Sequence, residues 1–181
     1  MKLPSSATYG FWLALLRIYA GAFWLMHGIP KFLHGEDFMP PNGMMVPFLN
    51  TQIQHTSGPY QAFLTNVVLP NASFFAELVR LGEVVTGCLL LLGFYTRFGA
   101  LIGILLALNY ISAKGGLAHL DVWSGLDSAA LALTAVSLVL PTGRVLGVDG
   151  ILARLRRRPE PSAATVFVEE PPMTGPTAPS S

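Results

Sequence analysis

Residues 77–99, ELVRLGEVVTGCLLLLGFYTRFG, form a stretch long and apolar enough to cross a bilayer, yet its first half carries three charges. Glu77, Arg80 and Glu83 recur every third residue. At about 100° per residue they fall on one side of a helix whose remainder is aliphatic. A charge near the middle of a membrane costs roughly 2.5–3.5 kcal/mol even on a lenient insertion scale. Two acids and an arginine in one span therefore demand partners on other helices, or water. Only folds in which several helices meet around a shared polar interior meet that demand.

Composition points the same way. Of 181 residues, 52% are hydrophobic and 12% charged, about half the roughly 25% charged share of a soluble domain. The charges cluster outside four apolar runs. The amphipathic helices with charged outer faces that a soluble helical protein needs are missing. The sequence predicts an all-α integral membrane four-helix bundle, with a long outward loop that carries a short amphipathic helix. Residues 1–8 are a polar cytoplasmic N-terminus, 9–152 the bundle, and 153–181 a basic and then disordered cytoplasmic tail. The single cysteine, Cys88, excludes an internal disulfide or a C-x-x-C redox pair and reads as a small buried hydrophobe.

The first span is expected over residues 9–29, close to the ~20 residues a membrane helix needs. Arg17 interrupts it, which argues against a cleaved signal peptide. Residues 35–71 are a long polar connection in which Tyr60, Phe63, Leu64, Val67 and Val68 repeat at helical spacing. Ser57 is the candidate cap of that short helix and Pro70 its stop. Further spans follow over residues 73–95, 98–112 and 122–140. Gly99, Gly103 and Ala107 at four-residue spacing allow a close helix contact. His34, His55 and His119 fall in solvated loops, and residues 159–181 are rich in Pro, Ser and Thr. Lys2, Arg97, Arg144, Arg154 and Arg156 to Arg158 gather on one side, against Lys31 and Lys114 on the other. The positive-inside rule then puts both termini in the cytoplasm, in a bacterial inner membrane crossed several times.

Candidate partners for the buried charges follow from depth. Arg17, Gly21, Trp24, Gly28 and Lys31 form one narrow stripe on the first span, with His27 on its border. At ~1.5 Å per residue, Arg17 lies about 12 Å from the cytoplasmic end and Glu83 roughly 16–18 Å. An Arg17–Glu83 ion pair near the midplane is expected, either as a lock between helices or as part of a site. Lys31 either joins the site or extends to the outer headgroups. Glu77, Arg80, His27, Asn109, Tyr110 and Asp127 fall at similar depth in the outer half. This many ionisable groups at one level exceeds what packing a small bundle requires, and marks a functional site. No metal-ligand pattern, haem-attachment motif, phosphate loop or dinucleotide fingerprint is present.

Three separated runs resemble the DoxX/DoxD-like membrane proteins. LRIYAGAFWLMHGIPKF is similar to the family's first helix, with its arginine, two glycines and closing Gly-x-x-Lys. ELVRLGEVVTGCLLLLGFYTRFGAL is similar to its second signature, and PTGRVLGVDGIL to its ending. The long outward loop resembles the DoxD type, the small subunit of thiosulfate:quinone oxidoreductase. That resemblance implies a membrane subunit that works with a second subunit, oxidising thiosulfate to tetrathionate and reducing a quinone. On that reading Glu77, Glu83, Arg80 and Lys31 are the candidate catalytic residues, and His27, Trp24, Asn109 and Asp127 the candidate substrate-binding ones. Quinone is a co-substrate, with no covalently bound cofactor and no metal. The partners are the bilayer, a second oxidoreductase subunit and a further copy of the chain, but no nucleic acid. The alternative is a non-enzymatic membrane scaffold that recruits a redox or stress-response partner, with the basic run 154–158 holding anionic lipid or protein.

Overall fold

The computed structural model describes residues 6–116 and 125–156. The described residues are helical, with no strand. The elements are α1 (Ser6–Leu33), α2 (Gly35–Phe38), α3 (Met45–His55), α4 (Gly58–Phe63), α5 (Ala72–Leu92), α6 (Thr96–Ala113), α7 (Leu126–Val139) and α8 (Val148–Arg156). Among the described residues, two helices are long and apolar enough to cross a membrane, Ala7–Leu33 and Thr96–Ala113. Helix α5 has the length, at 21 residues, and differs by its three charges. Large apolar side chains such as Trp12, Met26, Phe74 and Leu105 stand exposed on these helices, as they do where lipid is the solvent.

Helix α1 packs against α5 and α7, and α6 packs against the same two, so the four close a ring. Glycines set the distances within it. A Cβ on Gly21 would lie 2.5 Å from the Leu91 nitrogen, and one on Gly28 would lie 2.9 Å from the Glu83 Cβ. Backbones therefore touch along α1 and α5, which maximises dispersion contact where no hydrophobic effect drives helices together. The expected α6 stripe does the same work: Gly99 faces Leu89, and Gly103 faces Thr86, Thr134 and Trp24. Helix α5 ends at Gly93, whose φ of 64° is the left-handed cap conformation.

The connection between α1 and α5 holds more structure than the sequence suggested. Helix α3 was not expected, yet Met45 and Leu49 on one of its faces meet Leu64, Val68, Ala72 and Ala76 in a second small core. The expected short helix is present as α4, continued by a wider turn over Leu64–Val68. Ser57 precedes it without a side-chain capping bond. One further difference concerns a single residue. Cys88 is exposed on the outer surface of α5 rather than buried, because it lies away from the Glu83, Thr86 and Leu90 face. Arg154 and Arg156, of the basic run, lie on α8. Lys2, His119, the start of the fourth span at 122, Arg157, Arg158 and the tail 159–181 lie outside the described residues.

Gly21→Val should weaken the α1–α5 contact, because the added carbons meet backbone that cannot yield. Overpacking of this kind costs about 1–3 kcal/mol. Thermal unfolding in detergent should show a lowered midpoint, while Gly58→Ala, where a Cβ meets nothing within 4 Å, should cost only the strain of its positive φ.

Candidate functional site

The three-residue spacing that flagged α5 also separates its charges. Each step of three lags a full turn by about 60°, so Glu83 sits roughly 120° around the helix from Glu77. Glu83 consequently points into the ring and is 1% exposed, whereas Glu77 and Arg80 stay at its edge. Those two pair with each other across one turn, through Arg80 Nε and Nη2. The Arg80 guanidinium also lies over the Phe32 ring, 4.5 Å from its centre.

Glu83 is met by two groups. The Lys31 ammonium lies 2.7 Å from both carboxylate oxygens, and the Tyr110 hydroxyl donates to Oε1 at 2.6 Å. Lys31 also donates to the Tyr110 oxygen at 3.2 Å, which closes a triangle contributed by α1, α5 and α6. Charge-assisted bonds of this length are the strong class. They offset the burial of a carboxylate that would otherwise cost several kcal/mol.

This pairing corrects the expected Arg17–Glu83 ion pair. The glycine contacts fix the register of α1 on α5: Gly28 lies against Glu83, so the stripe residue one turn further along α1 is Lys31. Arg17 is eleven residues back along α1, about 16 Å away by rise. It is fully buried and donates instead to the carbonyls of Leu90 (2.6 Å), Leu91 (3.3 Å) and Leu146 (2.8 Å). The last carbonyls of a helix lack partners within it and carry its negative pole, so they are a natural seat for a cation.

Beside the triangle opens an apolar cavity of about 670 Å³ between α5, α6 and the helices of the long connection. Its polar lining side chains are Lys31, Tyr60, Asn109 and Tyr110. Tyr60 donates to the Asn109 side chain at 2.9 Å and to its carbonyl at 3.1 Å, tying α4 to α6 across the cavity. Burial raises the pKa of the Tyr60 hydroxyl above its ordinary value, so it stays a donor. Phe38 lies at the Lys31 end, its ring centre 5.0 Å from the ammonium.

Of the sequence candidates, Lys31 and Asn109 line the cavity and Glu83 stands directly behind Lys31. Glu77 and Arg80 form their own pair outside the lining. Three candidates for substrate contact lie outside the cavity lining. His27 is exposed and turned back on its own helix, bonding the Phe23 carbonyl at 2.8 Å. Trp24 is buried in the ring and donates to Thr134 at 3.1 Å. Asp127 pairs with Lys114. A shared depth does not say which face of its helix a residue occupies. Tyr110 was placed at this level without a role. Gly103, Ala107 and Tyr110 step by four and three, so it continues the buried stripe of α6, and that spacing was the available signal. Asp149 was also missed: its carboxylate accepts from the Tyr95 and Thr96 amides and caps α6 from 53 residues away.

An all-helical membrane protein with an acid–base–tyrosine triangle beside an apolar cavity is the class that emerges. The chain belongs to the membrane-associated DoxD family, since a family model described as the TQO small subunit DoxD matches residues 12–169. No curated protein and no solved structure matches it.

Lys31→Met should leave Glu83 as an uncompensated buried charge, at a cost near the lower end of the roughly 3–5 kcal/mol seen for broken buried pairs. Adding Glu83→Gln to Lys31→Met should recover much of that loss. Arg17→Met followed by Glu83→Gln should show no such recovery. Unfolding of the four variants in one detergent checks all three outcomes.

Proposed function

We propose that this chain is the membrane subunit of a quinone-linked oxidoreductase and that the 670 Å³ cavity receives the quinone. The carrying observation is an apolar cavity whose polar end is formed by Lys31 and Tyr110, with Glu83 behind them. Its volume falls within the range of about 300–1,000 Å³ common for small-molecule sites. An apolar wall suits a quinone tail, and two donors at one end suit its carbonyl oxygen. Reduction of a quinone to a quinol takes two electrons and two protons. The Lys31 ammonium would stabilise negative charge developing on that oxygen. Tyr110 or Lys31 would deliver one proton, and water would supply the second. The electron pair would come from the sulfur donor oxidised on the partner subunit. Glu83 would hold both donors in place and balance their charge.

The same cavity is unsuited to thiosulfate. A divalent anion placed among these side chains would face a desolvation cost that one already paired ammonium does not offset. Arg80 is held by Glu77, and His27 is turned away. Sulfur oxidation, if thiosulfate is the donor, therefore belongs to the partner subunit, and this chain handles the quinone. Helices α1, α5, α6 and α7 would span the bilayer as a four-helix bundle, with α2 to α4 on the outer side. The end bearing Arg97, Arg144, Arg154 and Arg156 would face the cytoplasm.

Complexes of the chain with its partner subunit should reduce a short-chain quinone with thiosulfate. Tyr110→Phe should lower turnover by about 100-fold, the lower range for a positioned proton donor, with the complex intact. Val79→Trp, which fills the cavity, should raise the quinone KM. If both variants lower only the amount of protein and leave turnover per complex unchanged, the chain is a scaffold and the quinone reading fails.

A further inference from the structure

At the opposite end of the ring from Glu83, a second hollow of about 400 Å³ is bordered by three arginines from three segments. Arg97 enters from the first turn of α6, Arg144 from the single turn Thr142–Arg144, and Arg156 from the last turn of α8. All three are exposed, and none forms an ion pair with an acid among the described residues. The acid lining the hollow is Asp149, and it is committed elsewhere. Its Oδ1 accepts from the Tyr95 amide at 2.9 Å, and its Oδ2 accepts from the Thr96 amide at 3.1 Å and hydroxyl at 2.8 Å. The positive end of α6 is therefore already neutralised, and the guanidinium groups remain in excess around the hollow.

Thr142 lines the same hollow, is 1% exposed, and its hydroxyl has no partner among the described residues. A buried hydroxyl without a partner is rare enough to need a reason. Arg97, Arg144 and Arg156 border the same hollow, and their like charges disfavour one another unless an anion offsets them. Guanidinium groups match the oxygens of a phosphate in shape as well as in charge.

The surroundings select the source of that phosphate. Phe98, beside Arg97, and Val139, three residues before Thr142, are exposed apolar side chains on α6 and α7. On α8, Ile151 and Leu155 are exposed as well. Apolar surface thus leads directly up to the arginines, as acyl chains lead to a headgroup. We infer that Arg97, Arg144 and Arg156 form a binding site for the phosphate of an anionic phospholipid, with Thr142 in its wall. The basic run 154–158 is not the unit of recognition. Arg154 lies outside the hollow, and only Arg156 of the described part of that run takes part.

Native mass spectrometry of the full chain in detergent, with equimolar phosphatidylglycerol and phosphatidylcholine, tests this. Phosphatidylglycerol should be retained preferentially. Arg97→Gln and Arg144→Gln should each weaken that retention about fivefold, the equivalent of about 1 kcal/mol per basic side chain at an anionic surface. Arg154→Gln should leave it unchanged. Equal retention of the two lipids would overturn the site, as would an Arg154→Gln effect as large as that of Arg144→Gln. Displacement of phosphatidylglycerol by an equal concentration of inorganic phosphate would overturn the lipid assignment in favour of a soluble phosphate ligand.

Discussion

A carboxylate in the interior of an apolar helix ring sets the terms for the rest of the molecule. Glu83 is stable there only because Lys31 and Tyr110 reach it from two other helices. Each of those contacts needs its helix at a fixed register and a short distance. Gly28, lying on Glu83 itself, brings α1 close enough for Lys31 to reach back. Gly103 and Ala107 do the same for α6, about two turns and one turn before Tyr110. The small residues and the charged triangle are thus two halves of one device, since neither persists without the other.

The other end of the ring is held by different means. Arg17 gathers the terminal carbonyls of α5 together with Leu146, while Asp149 caps the start of α6. These two residues draw the segment after α7 back beneath the α5–α6 turn, and that fold creates the hollow bordered by Arg97, Arg144 and Arg156. One end of the molecule therefore presents an apolar cavity with a proton-bearing floor, and the other a basic hollow at the rim of its apolar surface. In the proposed membrane placement the first would lie within the depth of lipid tails and the second at the level of headgroups, which would account for the difference.

The helical class, the long helices and the stripe Arg17–Gly21–Trp24–Gly28–Lys31 were legible because helical periodicity and a shortage of charge are strong signals. The identity of Glu83 as the key buried acid was legible for the same reason. Its partner was not, because rise per residue gives depth only to within a turn or two, and one turn decides between Lys31 and Arg17. Carbonyl groups leave no trace in a sequence, so the real partners of Arg17 could not be read there. Asp149 was hidden by sequence distance, lying 53 residues beyond Thr96 at the start of the helix it caps. Helix α3 was obscured by the prolines and asparagines around it. Its core contacts come from the Leu64–Val68 turn and α5 rather than from a periodicity strong enough to stand alone.

Photolabelling with an azido-quinone, followed by peptide mapping, tests the central assignment most directly. The account predicts label on the cavity walls, in the α5 segment around Val79 and Gly82 and the α6 segment around Leu106 and Tyr110, with protection by excess unlabelled quinone. Label confined to α7 or to the outer face of α1, or label that excess quinone does not suppress, would contradict it.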